Sequence, residues 1–181
     1  MIAGEFQTIN NRRFKRFITK KKIAETISRL ALNITTDYRD KEIVYVITLK
    51  GSIFFASDLI RQIPLKSSLE VVSAKSYGSG MITSGDVQII NLLPEVSNKH
   101  VIIIEDIVDS GMTLHTLFDK INQGKPASLE AVTLLSKPSV RQVDVDVKFV
   151  GIEIPPEFVV GYGLDYDEQG RELPEIYVLD E

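Results

Sequence analysis

The chain contains no cysteine, which excludes disulfide frameworks, thiolate metal sites and cysteine nucleophiles. Histidine is almost absent. His100 and His115 are too far apart for an HExxH pair and too few for a three-histidine centre. Any metal must then be held by oxygen ligands, which points to magnesium, manganese or calcium. Long apolar runs are also lacking. No stretch approaches the ~20 residues that a membrane-spanning helix needs. The segment MIAGEFQTINNRRFKRF has neither the apolar run nor the small-residue cleavage site of a secretory signal, so a cytoplasmic protein is expected. No repeat, no low-complexity segment and no GxGxxG after an early strand occurs, which argues against a dinucleotide-binding dehydrogenase. Basic residues do not dominate: net charge is −4 and the pI is near 5.3, unsuited to broad binding of nucleic acid or anionic membrane.

What is present suits one globular domain. The length is 181 residues and 44% of them are apolar, enough for one sizeable core. Ile23, Ala24, Ile27, Leu30, Ala31 and Ile34 recur at helical spacing after Thr19, a plausible N-cap, with Lys20, Lys21 and Lys22 facing water. Ile43–Leu49, IVYVITL, has the length and β-branched content of a strand. KGS follows it, then an amphipathic helix through Phe54, Phe55, Leu59 and Ile60, ended by Pro64. Leu69–Tyr77 and Asp86–Leu92 read as strands around a Gly/Ser/Thr-rich loop. Val101–Ile104, Leu129–Leu135 and Lys148–Ile154 read as further strands. A helix carrying Leu114, Leu117, Phe118 and Ile121 lies between the first two, closed by Gly124 and Pro126. Alternating strands and helices predict an α/β fold with a central parallel sheet, whose ligands sit beyond the carboxyl ends of the strands.

The segment Glu105–Thr113, EDIVDSGMT, lies at such an end. Glu105 and Asp106 follow the aliphatic strand and suit a sugar diol or magnesium. Asp109, Ser110, Gly111, Met112 and Thr113 lead into a helix, whose first amides lack partners and whose dipole favours an anion. Gly111 permits close backbone approach, and the Ser110 and Thr113 hydroxyls add donors. Carboxylates for a diol beside a cradle for a phosphate describe a ribose 5-phosphate site.

EDIVDSGMT resembles the phosphoribosyl-diphosphate signature of type I phosphoribosyltransferases. LKGS at Leu49–Ser52, SYGSG at Ser76–Gly80, SKP at Ser136–Pro138 and FVVGYGLDYDEQGRELP at Phe158–Pro174 are similar, in the same order, to the hypoxanthine–guanine phosphoribosyltransferase family. The match runs from about the first helix to the C-terminus; the first dozen residues carry no signal. Departures are small. Ser52 stands where Gly or Ala is common, and Ser110 where Thr is common.

The resemblance implies one phosphoribosyltransferase domain over 1–181, with a small hood from N-terminal residues and about 155–181. It implies transfer of 5-phosphoribose from phosphoribosyl diphosphate to hypoxanthine or guanine, giving IMP or GMP and diphosphate, in purine salvage. Lys50, Gly51 and Arg171 would bind diphosphate, and the family often has a cis peptide just before this lysine. Ser76 and Tyr77 would belong to a closing lid. Lys137 would donate to the 6-oxo group of the purine, Phe158 would stack on it, and Val159 and Asp165 would line its pocket. Glu105, Asp106 and Asp165 would hold Mg2+, or Mn2+ in its place, and Asp109 would be the catalytic proton acceptor. A homodimer or homotetramer is implied, with no nucleic-acid or membrane partner. His100 and His115 match no functional position. Xanthine or another base is the nearest alternative substrate. A phosphoribosyl-diphosphate-binding regulator would need a DNA-binding appendage or a basic face.

Overall fold

The computed structural model describes residues 4–76, 87–89 and 95–180. A six-stranded sheet forms the centre. Its strands are β3 (Ile43–Leu49), β4 (Ser67–Ser76), β5 (Val87–Ile89), β6 (His100–Val108), β7 (Ser128–Ser136) and β8 (Phe149–Glu153), in the order β5-β4-β3-β6-β7-β8. Five strands are parallel, as the alternation of elements requires. β5 runs antiparallel to β4 at one edge of this central parallel sheet.

Helices α1 (Lys20–Asp37) and α2 (Ile53–Ile60) cover one face of the sheet, and α3 (Met112–Asn122) the other. Thr19 caps α1 by accepting a hydrogen bond from the Lys22 N–H at 3.2 Å. Ala24 is exposed, contrary to the periodic reading. Thr26 takes the buried place, its hydroxyl satisfied by donating to the Lys22 carbonyl at 2.8 Å. α2 stops at Ile60, before Pro64. β3 is buried over nearly its whole length because apolar layers cover both faces.

A second, antiparallel sheet has the order β1-β2-β10-β9, from β1 (Phe6–Ile9), β2 (Arg12–Ile18), β9 (Val159–Val160) and β10 (Ile176–Leu179). Its apolar centre is Ile9, Phe14, Val160 and Tyr177. Ile18, Val159, Tyr162, Leu164 and Ile176 join the main core, so the small sheet is packed onto the large one. Buried Glu175 accepts from the Lys20 N–H at 3.2 Å and ties β10 to the start of α1. His100 sits against the Ser128 hydroxyl at 2.8 Å and edge-on to Tyr38, while His115 pairs with Asp119 at 3.5 Å. Among the described residues, no helix is long and apolar enough to cross a membrane.

Candidate active site

β6 occupies the middle of the large sheet and carries the acid pair. The strand does not end at Ile104. It continues through Glu105 and Asp106 to Val108, pairing Glu105 with Thr133 and Val108 with Ser136 on β7. Adjacent strand residues point to opposite faces. Glu105 is buried, and its Oε1 has no hydrogen-bond partner. Burial raises its pKa, the Asp106 charge raises it further, and the Thr48 hydroxyl partly offsets both. Asp106 is half-buried. Burial raises its pKa, opposed by the N–H groups of Ile107 and of Asp106 itself and by Arg171. Dehydrated carboxylates of this kind favour a cation or hydroxyl donors beside them.

The chain leaves β6 through Asp109, Ser110 and Gly111 and enters α3 at Met112, three residues later than the start of the DSGMT motif. Gly111 has φ +86°, a left-handed conformation suited to glycine. A Cβ there would lie 3.0 Å from Val145, 3.2 Å from Val143 and 3.3 Å from Arg141. The Gln142 N–H donates to the Ser110 carbonyl at 3.0 Å. Residues 141–145 thus back the loop between β6 and α3. Arg141 was missed by sequence reasoning. Its Nη2 donates to Ser136 Oγ at 2.9 Å, and its Nη1 is buried without a partner. Burial lowers its pKa, against the attraction of Asp109. The available signal was the alternation in RQVDVDV, which tucks Val143, Val145 and Val147 inward and leaves Asp144 and Asp146 in water.

Lys137 follows β7 directly and is only 8% exposed. Its Nζ donates to Asp109 Oδ2 at 2.7 Å, so two residues expected to serve separate tasks form one ion pair. Half-buried Phe158 packs edge-on to Tyr166, with ring centroids 5.6 Å apart, and 6.4 Å from Phe14. Val159 is buried in β9, opposite Val178.

On the other side of β6, the peptide Leu49–Lys50 is cis, as the resemblance implied. A Cβ on Gly51 would overlap the Asp106 carboxylate, and one on Gly163 would overlap the Gly51 carbonyl. Buried Ser52 donates its hydroxyl to the Thr48 carbonyl, which accommodates the departure at this position. Lys50 Nζ is 2.9 Å from Glu168 Oε2. Arg171 binds Asp165 Oδ1 at 2.8 Å, the Gly163 carbonyl at 2.8 Å and Glu168 Oε2 at 3.4 Å, leaving its buried Nε unpartnered. Asp165 Oδ2 accepts from the Glu168 N–H at 2.8 Å. Tyr162 donates to Asp58 of α2 at 2.6 Å and braces the same segment. Lys50, Gly51, Asp106, Asp165 and Arg171 therefore form one cluster, and Asp109, Lys137 and the start of α3 another, with the end of β6 between them. Ser76 closes β4. Tyr77, with the rest of the expected lid to residue 85, lies outside the described residues.

A strand carrying two dehydrated carboxylates, between a glycine turn that opens a helix and a lysine-bearing loop at the carboxyl end of a parallel sheet, is the outline of a pentose-phosphate transferase. Comparison with known proteins agrees. A family model for the phosphoribosyl transferase domain matches residues 16–167. The chain is 46% identical over 160 residues to a hypoxanthine phosphoribosyltransferase of Haemophilus influenzae, covering 86% of this chain and 89% of that one. It is 45% identical over 163 residues to a hypoxanthine-guanine phosphoribosyltransferase of Staphylococcus aureus, covering 90% and 91%. A crystal structure of a hypoxanthine-guanine phosphoribosyltransferase from Bacillus anthracis is similar with a TM-score of 0.86 at 42% identity, covering 91% and 98%. The chain belongs to the phosphoribosyltransferase family, in its hypoxanthine–guanine group.

Proposed function

We propose that this protein is a purine salvage enzyme that transfers 5-phosphoribose from phosphoribosyl diphosphate to hypoxanthine or guanine, giving IMP or GMP and diphosphate. The observation that carries this reading is the 2.7 Å pair of Lys137 with Asp109 beside the anion loop. An ammonium group that reads a 6-oxo oxygen and a carboxylate that takes a ring proton belong side by side on one purine.

The 5-phosphate docks on Ser110, Gly111, Met112 and Thr113, where the unpaired amides of α3 and two hydroxyls supply donors. The ribose hydroxyls meet Glu105 and Asp106. Diphosphate leaves toward Lys50, Gly51 and Arg171. The bond from C1 of the ribose to the diphosphate oxygen breaks, the bond to the glycosidic nitrogen of the purine forms, and Asp109 accepts a proton from the five-membered ring of the base. Lys137 pairs with Asp109 and offers its remaining N–H donors to the 6-oxo oxygen. Phe158 supplies one face of the base pocket, with Val159 and Asp165 at its edge. Ser76 and Tyr77 belong to the lid that excludes water.

The donor set suits Mg2+, with Mn2+ as substitute. All candidate ligands are carboxylates, and the unpartnered Glu105 Oε1 and the dehydrated Asp106 both favour a cation nearby. Among the described residues, no three ligating side chains converge on one point. Substrate oxygens would therefore complete a shell begun by Glu105, Asp106 and Asp165. Bound there, the metal neutralises charge on the departing diphosphate. We read residues 1–181 as one domain with a hood, working in the cytoplasm as a homodimer or homotetramer.

The test is an activity panel with phosphoribosyl diphosphate, magnesium and hypoxanthine, guanine, xanthine or adenine. Turnover is expected with hypoxanthine or guanine and is expected to vanish in excess chelator. Preference for xanthine or adenine would reject the base assignment, and full activity in chelator would reject the metal. Lys137→Ala is expected to raise KM for hypoxanthine about 5- to 150-fold, since a buried acceptor left unpaired costs ~1–3 kcal/mol. KM for phosphoribosyl diphosphate should change little. Equal loss for both substrates would show that Lys137 does not read the base.

A further inference from the structure

We infer that Glu168 competes with diphosphate for its own binding groups, as an internal anion of the site. The inference rests on the assignment of Lys50 and Arg171 to diphosphate. Those two cations come from distant parts of the chain, yet a single carboxylate oxygen reaches both: Glu168 Oε2 is 2.9 Å from Lys50 Nζ and 3.4 Å from Arg171 Nη2. Its placement is local and built. Glu168 has φ +63° in a tight turn bridged between Tyr166 and Gln169, and its N–H donates to Asp165 Oδ2 at 2.8 Å. The turn aims the carboxylate at the cis-peptide loop.

Asp165 also holds Arg171, but it is more enclosed, with its side chain 29% exposed. Glu168 and Lys50 are 64% and 68% exposed. Their pair is screened by water and easily opened. Diphosphate carries several negative charges and cannot share this corner with an anion without repulsion. Either the Glu168 side chain swings into solvent or it stays and weakens the complex. Both routes lower the affinity for diphosphate and for the diphosphate end of the substrate. The consequence falls on the product: a carboxylate that returns to Lys50 and Arg171 shortens the residence of the leaving group. Tight binding of that group in ground state and transition state alike would add nothing to turnover.

The test measures KM for phosphoribosyl diphosphate and the inhibition constant of inorganic diphosphate with magnesium, for the wild type, Glu168→Gln, Lys50→Ala and the double variant. Glu168→Gln keeps size and backbone N–H and removes the charge. Both constants are expected to fall about 2- to 5-fold, the scale of an exposed ion pair, with KM for hypoxanthine unchanged. In the Lys50→Ala background the gain should shrink. Glu168→Asn, which favours the left-handed backbone and is too short to reach Lys50, should reproduce it. A side chain that merely shaped the turn would not tighten substrate binding when replaced. If Lys50→Ala raises KM while both Glu168 variants leave the two constants unchanged or higher, the competition is refuted and the diphosphate site stands. If Lys50→Ala leaves KM unchanged, the diphosphate assignment itself fails, and the inference with it.

Discussion

Asp109→Asn is expected to lower kcat about 10²- to 10⁴-fold while IMP still binds, the range that general base catalysis typically contributes. A carboxylate inside the loop proposed for the 5-phosphate needs a reason, because it would repel that phosphate. Its partner in the structure is Lys137, at 2.7 Å. Asparagine has nearly the same size, and its amide oxygen still accepts a hydrogen bond from Lys137. What it cannot do is take a proton from the five-membered ring of the incoming purine. Two roles are therefore separable. If Asp109 only positioned Lys137, the retained hydrogen bond would leave kcat near normal, with at most a modest rise in KM for hypoxanthine. If Asp109 is the proton acceptor, kcat falls and binding of IMP, measured by fluorescence or calorimetry, holds. Near-normal kcat in Asp109→Asn would reduce the residue to a loop-shaping group.

The parts of this fold that were legible in the sequence are those where burial is one-dimensional. β3 spans Ile43–Leu49 as read, because a strand covered on both faces leaves a continuous apolar run. Thr19 caps α1 as read, because capping is local chemistry. β6 was cut short at Ile104 because Glu105 and Asp106 look like the end of a strand. Side-chain burial at Glu105 and pairing with β7 carry it on to Val108, and neither is visible in the sequence. The N-terminal strands of the hood were illegible for a related reason. In RRFKRFI only Phe14 and Ile18 turn inward, while Phe17 stays 39% exposed, so the alternation is broken. β9 has two residues and is defined only by its pairing with β10. The site shows the same division. EDIVDSGMT is contiguous and could be read. Arg141 gains its meaning from Gly111 and Ser136, and Glu168 from Lys50, 118 residues away.

Gly51→Ala should raise KM for phosphoribosyl diphosphate by at least about tenfold, at a small cost in thermal stability. The reason is steric. A Cβ on Gly51 would overlap the Asp106 carboxylate, lying 2.6 Å from its Cγ and 3.1 Å from Oδ1. Asp106 cannot yield freely. Its carboxylate is held by backbone N–H groups and stands near Arg171 and Asp165. The loop cannot yield freely either, because the Gly51 carbonyl is packed where a Cβ on Gly163 would sit, and Tyr162 anchors that segment to Asp58. One methyl group therefore displaces either the carboxylate proposed for the ribose or the loop proposed for diphosphate. Displacements of about 1 Å in a reactive geometry can cost ~10²-fold in rate. Most of the core lies elsewhere, so the melting temperature should move little compared with the kinetics. Lys137, the proposed reader of the 6-oxo group, lies in the other cluster, so KM for the base should change least. A Gly51→Ala enzyme with normal KM for phosphoribosyl diphosphate would show that the close approach of Gly51 to Asp106 is packing without a role in substrate binding.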